Sequence, residues 1–195
     1  AVQASDSNRD AALSYCMDSH SYSRLPDVKG YAWFTFDQVN WYRSQSAAYT
    51  ERNGGKPLPA LAFFHIPLPE YNQAAADESA ILIGTRMEKA CAPLLNTGMF
   101  AAMKEAGDEM GTFVGHDHDY SVMWHGILLA YGRFTGGNTE YNHLQNGARV
   151  ILMKENVRTF TTWIRTKGGE IVDKTVYPDS YRKDDWRKRP PVGEK

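Results

Sequence analysis

Cysteine is scarce in this 195-residue chain, neither sign of charge is in excess, and long apolar runs are lacking. The two cysteines, Cys16 and Cys91, form no CxxC pair and cannot build a disulfide framework. Cys16 lies in an apolar run, which predicts a buried thiol. Lysine and arginine number 22 against 23 acidic residues, a net charge of -1. That balance lacks the basic footprint a nucleic-acid partner needs. No stretch approaches the ~18 to 20 apolar residues of a membrane span, and residues 1–10 contain no apolar segment of a signal peptide. The first residue is Ala1 rather than methionine, so the sequence reads as a processed product or a fragment. What is present is ordinary globular material, 42% hydrophobic and 12% aromatic, enough for one domain with its own core. That domain is expected over residues 11–178, between a frayed end at 1–10 and a basic, proline-containing tail at 179–195.

Histidine is also sparse, with six residues, yet three stand where strands should end. Phe113-Val114 leads through Gly115 into His116-Asp117-His118-Asp119. Two imidazoles at i and i+2 can converge on one metal ion or bridge a pair, and Gly115 removes the side chain that would crowd their approach. The alternative is a polar turn with solvated rings. Earlier in the chain, residues 58–67 are apolar without alternation, as in a parallel strand covered on both faces, and they end on His65 before Pro67. A lone histidine there could be a core residue hydrogen-bonded to a neighbour. Two strands that each end in histidine match the place where open α/β sheets put their sites.

The remaining segments fill in the architecture. Residues 12–17 read as a short buried strand. Thr35-Phe36-Asp37-Gln38 has the spelling of a capping box, and a helix should run to about Arg52 with Val39, Tyr42, Ser46 and Tyr49 on one face. Asn53-Gly54-Gly55 ends it. Residues 70–95 form a mixed connection with room for a short helix. Thr97 then caps a helix whose Met99, Phe100, Met103 and Ala106 face inward, stopped by Gly107. Beyond the histidine loop the pattern is β: one strand over 122–131 with His125 inside it, another over 148–154, and a hairpin of 160–166 with 171–177 around Lys167-Gly168-Gly169-Glu170. His143 falls in a loop.

Phe63-Phe64-His65-Ile66-Pro67, Val114-Gly115-His116-Asp117-His118, Leu129-Ala130-Tyr131-Gly132-Arg133 and Gly147-Ala148-Arg149-Val150-Ile151 occur in this order. Together they resemble the C-terminal half of calcineurin-like metallophosphoesterases, in the branch related to purple acid phosphatases, from about Leu13 to about Arg165. The resemblance implies an α/β fold, a four-layer α/β/β/α sandwich with a mixed sheet and a β-rich C-terminal part. Two divalent or trivalent metal ions, Fe, Zn or Mn, would lie between its sheets. By the resemblance His65 and His116 bind one ion and His118 the other. Asp117 and Asp119 become candidates to orient the imidazoles, with exposed loop carboxylates as the alternative. Arg133 and Tyr131 become candidates to contact phosphate, with a surface role as the alternative. The implied substrate is a phosphoester, hydrolysed while two ions clamp its phosphate oxygens. Proteins of this branch are often exported, which points by analogy to a periplasmic or secreted protein.

The resemblance also calls for an N-terminal half carrying Asp-x-His, Gly-Asp-x-x-Asp and Gly-Asn-His-Glu or Gly-Asn-His-Asp. Asp18-Ser19-His20 has the first spelling, but its strand aligns after those motifs in the family order. Gly137-Asn138-Thr139-Glu140 lacks the histidine and follows the His-x-His, and no Gly-Asp-x-x-Asp occurs. Asp119 is followed directly by Tyr120 where the family pattern has Asn-Asp. The expectation is a phosphoesterase segment inactive alone and active with the missing half in cis or trans. The alternative is a non-catalytic truncated domain that forms homo-oligomers through its sheet edges or complements a partner half. A self-sufficient zinc hydrolase on three histidines ranks last.

Overall fold

Parallel strands covered on both faces need apolar residues at every position, and the middle of this chain supplies them. In the computed structural model, which describes residues 1–118, 120–136 and 143–183, strand β2 is Asp10–Cys16, β3 is Ala60–Phe64, β5 is Glu109–Val114 and β7 is Ile127–Tyr131. Each is parallel to the next. A short strand β1, Val2–Gln3, pairs antiparallel with β2 at one edge, where the sequence suggested a frayed end. Strands β6, Tyr120–Trp124, and β4, Leu82–Gly84, add antiparallel to the other edge. The result is a seven-stranded mixed sheet in the order β1-β2-β3-β5-β7-β6-β4.

Alternation along each strand sorts side chains between two cores. Ala60, Ala62 and Phe64 of β3, with Ile127, Leu129 and Tyr131 of β7, meet helices α1 (Phe36–Arg52), α2 (Glu70–Ala76) and α3 (Met99–Ala106). Leu61, Leu128 and Ala130 point the other way. There they meet a three-stranded antiparallel sheet of β8 (Gly147–Met153), β9 (Phe160–Thr166) and β10 (Ile171–Tyr177) through Phe160. Helices, large sheet and small sheet thus stack in an α/β/β order, consistent with the C-terminal part of the expected α/β sandwich; a second helical layer is not among the described residues.

Most elements fall where the sequence pattern puts them; besides the short edge strands β1 and β4, which it does not give, four further features differ. The expected strand 122–131 is a hairpin, β6 and β7, because His125 and Gly126 adopt φ of 45° and 86° and reverse the chain. His125 therefore sits in a turn. Helix α3 is entered from Gly98 at φ 86°, not from Thr97, whose hydroxyl donates instead to the Phe34 carbonyl at 2.5 Å. Cys16 is exposed, since alternation along β2 buries Ala11, Leu13 and Tyr15 and turns Ser14 and Cys16 outward. The tail does not begin as a solvated segment either: residues Asp179–Tyr181 form a 3-10 turn, and the buried Tyr181 hydroxyl lies 2.6 Å from Ser121 Oγ. The Gly137-Asn138-Thr139-Glu140 stretch, Asp119, and residues 184–195 of the expected tail lie outside the described residues.

At the base of the parallel strands, buried Asp108 ties three elements together. Tyr15 of β2 donates to its Oδ2 at 2.9 Å, and Tyr42 of α1 to its Oδ1 at 2.5 Å. Beside it Glu109 is buried, its carboxylate near the Gly111 and Ala62 amides but with neither oxygen in a hydrogen bond of ordinary geometry. Burial, reinforced by the Asp108 charge, raises its pKa well above the ordinary value. The histidines lie at the opposite end of the same strands.

Candidate metal centre

Strands β3 and β5 are adjacent and parallel, with Phe64 opposite Val114, so the residues that follow them emerge side by side. His65 follows β3 and His116 follows β5 after Gly115. The Gly115 N–H donates to the His65 carbonyl at 3.2 Å, continuing the ladder by one bond beyond the strands. A Cβ on Gly115 would stand 2.7 Å from His65 Nδ1. Glycine is therefore required for the imidazole to occupy its place. The His65 backbone is fixed from the other side, where its N–H and that of Ile66 donate to the buried Ser19 hydroxyl at 3.1 and 2.8 Å.

His116 and His118 both adopt positive φ, 75° and 66°. Such backbone is uncommon outside glycine and tends to persist at functional sites. It aims the two rings differently. His116 Nδ1 lies 3.2 Å from His65 Nε2, and its Nε2 lies 2.8 Å from the Tyr31 hydroxyl. His118 Nδ1 lies 3.0 Å from the Gly132 carbonyl, so that nitrogen carries the proton and Nε2 keeps its lone pair. Partial burial, followed by repulsion from His116 and His118, lowers the His65 pKa. Burial also lowers that of His118, more than the Gly132 bond and Asp117 raise it. Both shifts favour neutral rings, the form that binds metal.

Asp117, between the two histidines, is buried. Its Oδ2 accepts from the Cys91 N–H at 3.1 Å and from the Tyr131 hydroxyl at 2.9 Å, while Oδ1 is buried without a hydrogen bond. Tyr131 is thereby held in the core and out of reach of a substrate. Arg133, whose side chain is 5% exposed, donates to the Gln145 carbonyl at 3.0 Å and lies 3.8 Å from the Asp173 carboxylate on β10. It ties the loop after β7 to the small sheet.

Among the described residues, the one group of three His, Cys, Asp or Glu side chains with donor atoms all within 4.8 Å is Cys91, His116 and Asp117. His65, His116 and His118 do not form such a group: His65 and His116 meet at 3.2 Å, while His118 Nδ1 is engaged by the Gly132 carbonyl. Two imidazole nitrogens 3.2 Å apart repel unless a proton or cation lies between them. That spacing suits two ligands with bonds of roughly 2.0 to 2.1 Å on one ion. The orphaned Asp117 Oδ1 is a further acceptor without a partner. One N–H shared between the rings satisfies the 3.2 Å spacing as well as an ion does, and the three-donor group that could hold a metal is Cys91, His116 and Asp117. Cys91 is no free nucleophile, since burial, then the Asp117 carboxylate, pushes its thiol up to about 12. Neither Cys91 nor Tyr31 was singled out from the sequence. They stand 25 or more positions from the histidines in irregular segments, and no local motif marks them.

The protein named probable inactive purple acid phosphatase 29, from Arabidopsis thaliana, is 33% identical over 192 residues, covering 87% of this chain and 48% of that protein. Probable inactive purple acid phosphatase 14 of the same plant is 36% identical over 132 residues, 63% of this chain and 32% of that protein. Phosphatase DCR2 of Saccharomyces cerevisiae is 29% identical over 176 residues, 82% of this chain and 29% of that protein. The chain thus spans about half, or less, of the length of the curated relatives it matches. No family model matches it, and no solved structure matches it significantly. Among the described residues no helix is long and apolar enough to cross a membrane.

Proposed function

Since this chain is related over most of its length to purple acid phosphatase-like proteins of the calcineurin-like phosphoesterase superfamily, we propose that it carries the C-terminal share of a metal-dependent phosphoester-hydrolysing site. The observation that carries the reading is the 3.2 Å approach of His65 Nε2 to His116 Nδ1 at the ends of neighbouring parallel strands. His65 and His116 would hold one ion, and His118 Nε2 would serve a second. Metal ions in such a site neutralise phosphate charge and lower the pKa of water. The chain's own residues do the positioning. Gly115 admits the His65 ring, Tyr31 sets the His116 ring, and the Gly132 carbonyl fixes the His118 tautomer. Asp117 closes the loop onto Tyr131 and Cys91, and Asp119 is retained as a candidate beside His118. Arg133 acts through Asp173 and Gln145 and holds the loop behind His118.

Three imidazoles that do not converge, without a bridging carboxylate, hold metal poorly. Full activity is therefore assigned to a longer protein, in which the remaining ligands come from a segment beyond this chain in cis or from a partner half. The test is hydrolysis of an aryl phosphate by a protein of the relatives' length, with Mn, Fe or Zn supplied. Turnover that falls by ~100-fold or more in His116→Ala is the expected result. A second reading draws on two relatives whose names carry the word inactive: the site binds a phosphoester or metal without turnover. Binding without hydrolysis under every metal supplied would favour it.

A further inference from the structure

Residues 18–35 join the end of β2 to α1 and wall a cavity of about 650 Å³ that the residues assigned above leave unused. The loop is built rather than slack. Ser23 N–H donates to the Gly30 carbonyl at 2.9 Å, Ala32 N–H to the Ser21 carbonyl at 3.0 Å, and Tyr22 and Tyr31 form an antiparallel bridge between them. The Tyr22 ring stacks on Tyr31 with centroids 5.4 Å apart and planes 20° apart. Tyr31 is the residue whose hydroxyl lies 2.8 Å from His116 Nε2, with its ring 4.7 Å from the imidazole. Two ring contacts therefore lead from the candidate metal centre to the cavity wall.

The wall has the chemistry of a base-binding pocket. Tyr22 is 67% exposed, so one face of a ring already stacked on Tyr31 is open to a further planar group. Trp33 lines the same space. Arg24 lines it too and makes no hydrogen bond or ion pair among the described residues, which leaves a guanidinium for an anion. His20, at φ 62°, is held by its N–H to Asp18 Oδ1 at 2.8 Å and by Nε2 at 3.0 Å from Gln38 Oε1. Asp18 and Ser21 add polar groups to the lining. A bare phenyl group would fill little of the space and make no hydrogen bond to its polar lining, whereas the edge of a nucleobase offers donors and acceptors to it.

We propose that this cavity binds the base of a nucleoside phosphate and thereby selects nucleotides as the phosphoester class. The proposal rests on the phosphoesterase reading only for what becomes of the phosphate. Base binding needs no metal and no turnover, so the two can fail separately.

The test is titration of the metal-free chain with adenosine 5′-monophosphate, adenosine, ribose 5-phosphate and phenyl phosphate, followed by calorimetry and by tryptophan fluorescence. The nucleotide should bind saturably, with adenosine weaker and the two base-free compounds weaker still. Tyr22→Ala should weaken nucleotide binding by ~10-fold while Tyr22→Phe, which keeps the ring, preserves it. Arg24→Ala should weaken the nucleotide but leave adenosine unchanged. His118→Ala should leave metal-free adenosine binding unchanged, even if it abolishes hydrolysis in the longer protein. Three results would overturn the proposal: no nucleotide binding up to about 10 mM, phenyl phosphate binding as tightly as the nucleotide, or Tyr22→Ala indistinguishable from wild type. Hydrolysis of aryl phosphates by the longer protein together with any of them would sink the nucleotide assignment and spare the phosphoesterase reading.

Discussion

Gly115 shows how one residue sets the geometry of the candidate centre. It is not needed for an unusual φ; it is needed because any Cβ would stand 2.7 Å from His65 Nδ1. Gly115→Ala should keep the fold, displace the His65 ring and weaken metal binding by roughly 10- to 100-fold, the range seen when support for a ligand is lost. Metal titration alongside a thermal melt separates the two effects. At the other end of the strands, Glu109 gives a pH prediction. Its folded-state pKa is raised, so its contribution to stability is fully present below the ordinary glutamate range and is lost as pH rises through the folded value. Glu109→Gln should therefore be more stable than wild type at pH 7.5, by about 1 to 3 kcal/mol if the amide is accommodated. The gap should close near pH 4. Denaturant titrations at both values check it; equal differences at the two pH values would contradict the assignment.

At the scale of elements, the sequence was most legible where one physical rule governed a whole segment. Residues 58–67 read as a strand covered on both faces, and β3 is buried against helices on one side and the small sheet on the other. Lys167 to Glu170 read as a turn, and β9 pairs with β10 around it. Helix α1 begins after Thr35, whose N–H donates to Gln38 Oε1 at 2.8 Å. The pattern failed where a turn was hidden inside apolar residues. Trp124 and Ile127 flank His125-Gly126 without proline, asparagine or aspartate, so periodicity ran straight through the reversal. It failed again at Cys16, because local hydrophobicity does not say which face of an outer strand is covered. Of the candidate site, the position of His65 and His116 just beyond β3 and β5 was legible, but not the loop that packs Tyr31 and Cys91 beside them, because that proximity exists only in three dimensions. The hairpin yields its own prediction. Gly126 holds φ 86°, so Gly126→Ala should destabilise the protein by about 1 kcal/mol, read as a lowered Tm without loss of metal binding.

For the molecule as a whole, a three-layer α/β/β stack carries the candidate centre at the ends of its parallel strands. The chain spans 48% of the first of its relatives above and less of the others, and the donors it brings together fit one ion better than two. Hence the measurement that bears most directly on the central claim is metal stoichiometry and affinity of this chain, purified without chelator and titrated with Mn, Fe and Zn. The account predicts weak binding, well short of one tightly held ion per chain, reduced further by His116→Ala and raised when the longer protein supplies its other ligands. A stoichiometric, tightly bound ion in this chain with turnover of an aryl phosphate, both lost in His116→Ala, would contradict it and make the three histidines a complete centre by themselves.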